Sequence, residues 1–272
     1  AQDGIITTYS ENTTITLKSG TVLRNYGGMS AVRVSGGTLI MEKGSTITDT
    51  LSIIRTKGQG GDGPAGAVWV QSGTVEMQEG SSIENLDGRA IYADGAESDV
   101  TVDGTISGIT GNDNMWNGQQ GVAIHLRNYS EGVLSENGVI QEITGKRAVY
   151  IHSYASFEMV KNSAIKNVTG VGVQLDGDVG GTLYMDGEIT KCTDSAIHMN
   201  ANLSNGNTVP EAGSDRVLKA TIGPNGDIHG NTGGYGTVTM QTYNGTLDVY
   251  GKIRDNIAAA NVGIVMASNH SG

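Results

Sequence analysis

The 272-residue chain sets 28 acidic against 17 basic residues, a formal charge of −11. This argues against nucleic acid and anionic membrane surfaces as partners, because binding either calls for a basic face. Its 42 glycines beside 3 prolines and 1 phenylalanine are foreign to an ordinary α/β enzyme and imply many sharp turns.

Taken in chain order, one phrase keeps returning. An anchor residue at Val22 is followed by a strand, AVRVSG (31–36), an alternating pair Leu39-x-Met41, and a second anchor, Ile47. After an insertion, RTKGQGGDGPAG (55–66), come AVWVQS (67–72), Val75-x-Met77, the anchor Ile83 and a second inward position, Leu86. AIYADG (90–95), Val100-x-Val102, Ile106 and Ile109 repeat that order, and GITGNDNMWNGQQG (108–121) inserts before AIHLRN (123–128). Ile140 with Ile143, AVYIHS (148–153), Phe157-x-Met159, Ile165 with Val168, GVQLDG (172–177), Leu183-x-Met185 and Ile189 with Cys192 continue the series. AIHMNA (196–201) then leads into NANLSNGNTVPEAGSD (200–215). Ile228, HGNTGGYG (229–236), Leu247-x-Val249, Ile253 and Ile257 end the series. The anchors are spaced 25, 36, 23, 34, 25, 24, 39 and 25 residues apart, a unit of 23–25 residues with three long insertions.

Period-2 alternation marks each short segment as a half-buried strand. Three such strands cannot bury an apolar face alone, but stacked repeats bury a continuous column. The expectation is an all-β, right-handed parallel β-helix of about nine rungs, three strands per rung, as a single domain over 1–272 with loop insertions flanking one face. A leucine-rich horseshoe would need a leucine–asparagine signature and a helical return, and both are missing. No apolar run nears the roughly 18 residues of a membrane span, and the N-terminus lacks a signal-peptide pattern. A soluble segment of a longer polypeptide with flanking domains is expected, since AQDGIITTY and VGIVMASNHSG cut through the repeat. Cys192, the one cysteine, fills a slot taken elsewhere by Leu, Ile or Val and is expected to be a core thiol.

At this point the chain resembles the pectin-lyase-like β-helices, and its G-T-x-x-M-x-x-G-x-I phrasing resembles repeats in secreted and surface proteins of Gram-positive gut bacteria. The resemblance spans nearly the whole chain and concerns architecture rather than activity.

Function is sought where the repeat changes. The third residue of the A-V-x-V-x strand runs Arg33, Trp69, Tyr92, His125, Tyr150, Gln174, His198, and the fifth runs Ser35, Gln71, Asp94, Arg127, His152, Asp176, Asn200. Stacked, they form two outward columns suited to an extended oligosaccharide or polysaccharide, with rings against sugar faces and polar groups on hydroxyls. The insertions are expected to wall this strip, with Trp116 on one of them, and truncating Trp69 or Tyr150 to cost a ligand more than it costs the fold. The turn before the strip strand reads Thr110, Thr144, Thr169 and Thr193, but Asp87 in NLDGRAIYAD, seven residues before Asp94. Two carboxyls within about 5–10 Å would suit acid and nucleophile or base on a glycosidic bond. The Asp-x6-Asp pair is similar to that of the β-helical lacto-N-biosidases of gut bacteria, a resemblance that carries over only to Asp87 and Asp94. The chain is shorter than that family's full catalytic region, and Asp248 and Asp255 share the spacing.

Other chemistry is weaker. The histidines at 125, 152 and 198 are too scattered to specify zinc, so no metal ligand is assigned. GGDG, GNDN and DGD could offer oxygens to calcium, but such turns are commonplace in this architecture, and no cofactor is expected. The reading is a secreted or bacterial cell-surface, carbohydrate-active β-helix, with hydrolysis by Asp87 and Asp94 as its sharper form. Its rival is a non-catalytic adhesin or stalk.

Overall fold

The computed structural model describes residues 5–28, 30–52, 66–111, 121–176, 180–200, 217–242, 244–257 and 263–266. Among them the protein is all-β without a helix, a single sheet of 26 strands whose pairings are all parallel, not closed as a barrel. No helix among these residues is long and apolar enough to cross a membrane.

Partner strands lie one sequence repeat apart, and three ladders follow. The first aligns Ile15, Leu39, Val75, Val100, Gly132, Phe157, Leu183, Ala220 and Leu247, with Leu17, Met41, Met77, Val102, Leu134, Met159, Met185, Ile222 and Val249 two residues on. The chain's one phenylalanine faces its one glycine in this series. A Cβ on Gly132 would stand 3.0 Å from Phe157 Cδ2 and 2.7 Å from Leu126 Cδ1, so the large ring uses the space the small residue leaves.

The second ladder carries the anchors and corrects the first of them. Leu23, not Val22, pairs with Ile47, and the series runs on through Ile83, Ile106, Ile140, Ile165, Ile189, Ile228 and Ile253. Leu17 to Leu23 is the same six-residue step as Met41 to Ile47, so parity turns Leu23 inward and leaves Val22 52% exposed. In all nine repeats the residue two after the anchor is left-handed: Asn25, Asp49, Asn85, Gly108, Glu142, Asn167, Lys191, Gly230 and Asp255. That bend lets the anchor and the residue three after it both point inward, against strict strand alternation. Hence Leu86, Ile109, Ile143, Val168 and Cys192 share one buried slot. Ile257, four after its anchor, misses the slot and is 69% exposed. Asn231 and Asn256 stand three after their anchors instead. Asn231 Oδ1 accepts from Cys192 N at 2.8 Å, and its Nδ2 donates to Asn256 Oδ1 at 2.9 Å. Cys192 is fully buried, and desolvation followed by the charge of Asp194 pushes its thiol up to about 12.

The third ladder aligns Ile6, Val32, Val68, Ile91, Ile124, Val149, Val173, Ile197, Val238 and Ile264. Its opposite side carries the strip.

Candidate functional site

Residue 33 pairs with 69, 69 with 92, 92 with 125, 125 with 150, 150 with 174 and 174 with 198, so the first strip column is one continuous ladder of Arg33, Trp69, Tyr92, His125, Tyr150, Gln174 and His198. In the second column Asp94 aligns with Arg127, and His152, Asp176 and Asn200 align in turn. A register shift after Val34 pairs Ser35 with Ser72 rather than Gln71, which ends that column at its N-terminal side.

The first column does not face open water as expected. Trp69 is 7% exposed, Tyr92 1%, His125 2% and Gln174 7%, while Tyr150 and His198 are half-buried. Strand spacing explains this, because rings repeating every ~4.8 Å cover one another. The His125 ring lies 5.0 Å from Tyr92, edge-on, and 4.6 Å from Tyr150. Arginines cover the remaining faces: Arg33 Cζ is 4.1 Å from the Trp69 ring, Arg89 4.8 Å from Tyr92 and Arg147 4.2 Å from Tyr150. Arg89 and Arg147 were not among the expected site residues. Their signal is the shared phrase RAIY (89–92) and RAVY (147–150), which places each guanidinium over the ring three residues on.

Burial sets the protonation states of this stack. Tyr92 is pushed up to about 12 by desolvation and then by the charge of Asp94. Tyr150 is raised further for the same reason, with Asp176 as its neighbouring charge. His125 is held well below its usual value by desolvation, followed by Arg89, His152, Arg147 and Arg127. Both phenols therefore stay protonated and donate, and the imidazole stays neutral. Tyr92 Oη donates to Asp94 Oδ2 at 2.9 Å, and Tyr150 Oη to Asp176 Oδ2 at 3.1 Å. Asn128 Nδ2 donates to Asp94 Oδ1 at 2.6 Å. Two carboxylates are thus fixed by donors from the buried column and from the turn, with lone pairs left over for further hydrogen bonds.

Asp87 aligns with Leu51 and Thr110, and through them with Thr144 and Thr169, so the single acid in a threonine series is a real register feature. It is half-buried, while Asp94 turns toward Tyr92 and Asn128. The insertions over 55–65 and 112–120, Trp116 included, and the stretch 201–215 lie outside the described residues.

A more exposed aromatic feature follows the strip strands. Asn128–Tyr129 and Ser153–Tyr154 are consecutive left-handed pairs, with φ between 53° and 67°. They close equivalent turns after Arg127 and His152, and Tyr129 N donates to Ser153 O at 3.1 Å. The two tyrosine rings stack at 4.9 Å with 11° between planes, and Tyr129 is 57% exposed. The phrases RNYS and HSYA carry this pair, one position beyond the alternation that defines the columns. Comparison of the chain with protein-family models, curated proteins and solved structures finds no match.

Proposed function

We propose that the chain is a right-handed parallel β-helix of about nine three-strand rungs that binds an extended oligosaccharide. The glycan lies on the ledge made by Tyr129 and Tyr154, beside the polar row Asp94, Arg127, His152 and Asp176. The observation that carries the proposal is the stacked tyrosine pair, one member mostly in water, next to carboxylates already oriented by phenol donors. A flat exposed ring beside fixed acceptors matches the apolar face and hydroxyl edge of a sugar. In this reading Tyr92, His125 and Gln174 form a rigid floor rather than a contact surface. Secretion or cell-surface attachment and flanking domains belong to the same reading.

The test is a glycan array on the intact chain, followed by calorimetry on each hit. Tyr129→Ala should weaken binding by roughly 10-fold, the effect of losing about 1.4 kcal/mol of contact, and should leave the thermal midpoint nearly unchanged. An inert array, or full affinity in the variant, rejects the ledge. A second reading, the non-catalytic stalk, draws support from the way Tyr92 with Asp94 and Tyr150 with Asp176 already satisfy one another inside the strip.

A further inference from the structure

The connection from the first ladder to the second comes in two lengths. It takes six residues from Met77 to Ile83, Met159 to Ile165 and Ile222 to Ile228. It takes four from Val102 to Ile106, Met185 to Ile189 and Val249 to Ile253. Short turns are drawn in against the preceding one: a Cβ on Gly104 would stand 2.5 Å from Ser81 O, and one on Gly187 2.5 Å from Ser163 O. A short turn between two long ones therefore leaves a recess. At Asp103 and at Asp186 the acid is tied to the long turn after it, by Asn137 N at 3.0 Å and Asn225 N at 2.8 Å.

The two recesses share a scaffold and differ in chemistry. Beside Asp103 the outward ladder positions are Ser82, Thr105 and Val139, then Glu84, Ser107 and Gln141. At the matching positions beside Asp186 they are Ala164, Glu188 and Asp227, then Lys166, Thr190 and His229, with Lys252 and Arg254 one repeat further on. The second recess is a cavity of about 590 Å³. Each of its acids already accepts a hydrogen bond, and Asp227 is paired with a guanidinium. Asp186 accepts from Asn225 Nδ2 at 2.7 Å, Glu188 Oε1 pairs with His229 Nε2 at 2.7 Å, and Asp227 takes Arg254 Nε at 3.1 Å and Nη2 at 2.8 Å. The side-chain ammonium groups of Lys161 and Lys252, both in the cavity lining, make no hydrogen bond or ion pair with any described residue. The lining holds no Phe, Tyr or Trp among the described residues, which disfavours a neutral sugar.

We propose that this recess is a binding site for a small oxyanion, a carboxylate, sulfate or phosphate group carried on a polar molecule. Lys161 and Lys252 supply the charge. Both stems are long enough to bring their ammonium groups into the cavity, and the edges of His229 and Arg254 give directional donors. The site is separate from the tyrosine ledge.

The experiment titrates the intact chain with sodium sulfate, sodium phosphate and sodium glucuronate against sodium chloride at matched ionic strength, reading the histidine ring signals by NMR. The chain has only five histidines, so the rings resolve singly. At least one oxyanion should move His229 saturably and leave His198 in place, and the probe that succeeds identifies the anion class. Lys161→Gln with Lys252→Gln should weaken that titration about tenfold or more, the loss of one charge contact or more. Lys219→Gln, on the first ladder beside Asp248, should not change it. If none of the three anions moves His229, or if the double variant titrates like the native chain, the site does not exist.

Discussion

Buried His125 makes stability fall on mild acidification in a way that can be calculated. Its ring lies between Tyr92 and Tyr150, is 2% exposed, and is surrounded by Arg89, Arg127, Arg147 and His152, so the native state resists a proton. The unfolded chain takes that proton near 6.5, the ordinary value. Below that pH the unfolded state binds more protons than the native state, so the full contribution holds above pH 6.5 and declines as the pH falls toward the lowered native value. While the native imidazole stays neutral the slope approaches about 1.4 kcal/mol per pH unit, large beside a typical total stability of about 5–15 kcal/mol. Urea unfolding of the native chain and of His125→Gln, run in parallel from pH 8 to 4.5, isolates the effect because the carboxylates titrate alike in both. The stability difference should be flat above about pH 7 and close below 6.5 at a slope approaching ~1.4 kcal/mol per unit. Two curves that stay parallel through that window would refute the buried neutral imidazole.

Three further outcomes are expected. Asp87→Thr restores the residue of the aligned repeats. If Asp87 is chemical, this change and Asp94→Asn should each leave folding intact and cut hydrolysis of β-linked oligosaccharides by orders of magnitude. Activity that survives both changes, or a native chain inert on every such glycan, ends the hydrolase form of the proposal. Glu142, exposed at φ 58°, sits where five of the other eight repeats place Asn or Gly. Glu142→Asn should therefore add about 1 kcal/mol and raise the thermal midpoint by roughly 2–4 °C, and a neutral or negative shift in calorimetry would discount the strain. Cys192, its thiol pushed up to about 12, should react with thiol reagents in the native state only at the rate of local opening, so fast native labelling would contradict its burial.

The repeat was legible because it answers one packing problem nine times. Inward Ile, Val, Leu and Met at fixed spacing gave the ladders, and the first strip column came out in the register that the A-V-x-V-x pattern predicts. Errors arose where spacing alone decides orientation. Val22 and Ile257 each lie one residue from the inward position, and a hydrophobic side chain does not reveal which parity its turn imposes. The left-handed bend was hidden because Asn and Gly mark it in several repeats while Glu142 and Lys191 do not. Burial of Tyr92 and His125 was invisible for another reason. Alternation tells which side of a strand a residue occupies, whereas covering depends on neighbours such as Arg89 and Arg147 that lie outside the pattern. The recess at Asp186 needed two turn lengths to be compared across repeats, which a search for shared phrases passes over.

The parallel ladders have a mechanical consequence. Their backbone hydrogen bonds run along the stacking direction, so tension between the first and last strands loads them one repeat after another, like a zip, rather than all at once. Each rupture frees the chain held between consecutive anchors. At ~3.4 Å per residue a 24-residue repeat yields about 80 Å of slack, and the repeats spaced 36, 34 and 39 yield about 115–130 Å. A force–extension trace of this protein would therefore spell out its anchor spacings in lengths, with the insertions appearing as the long steps.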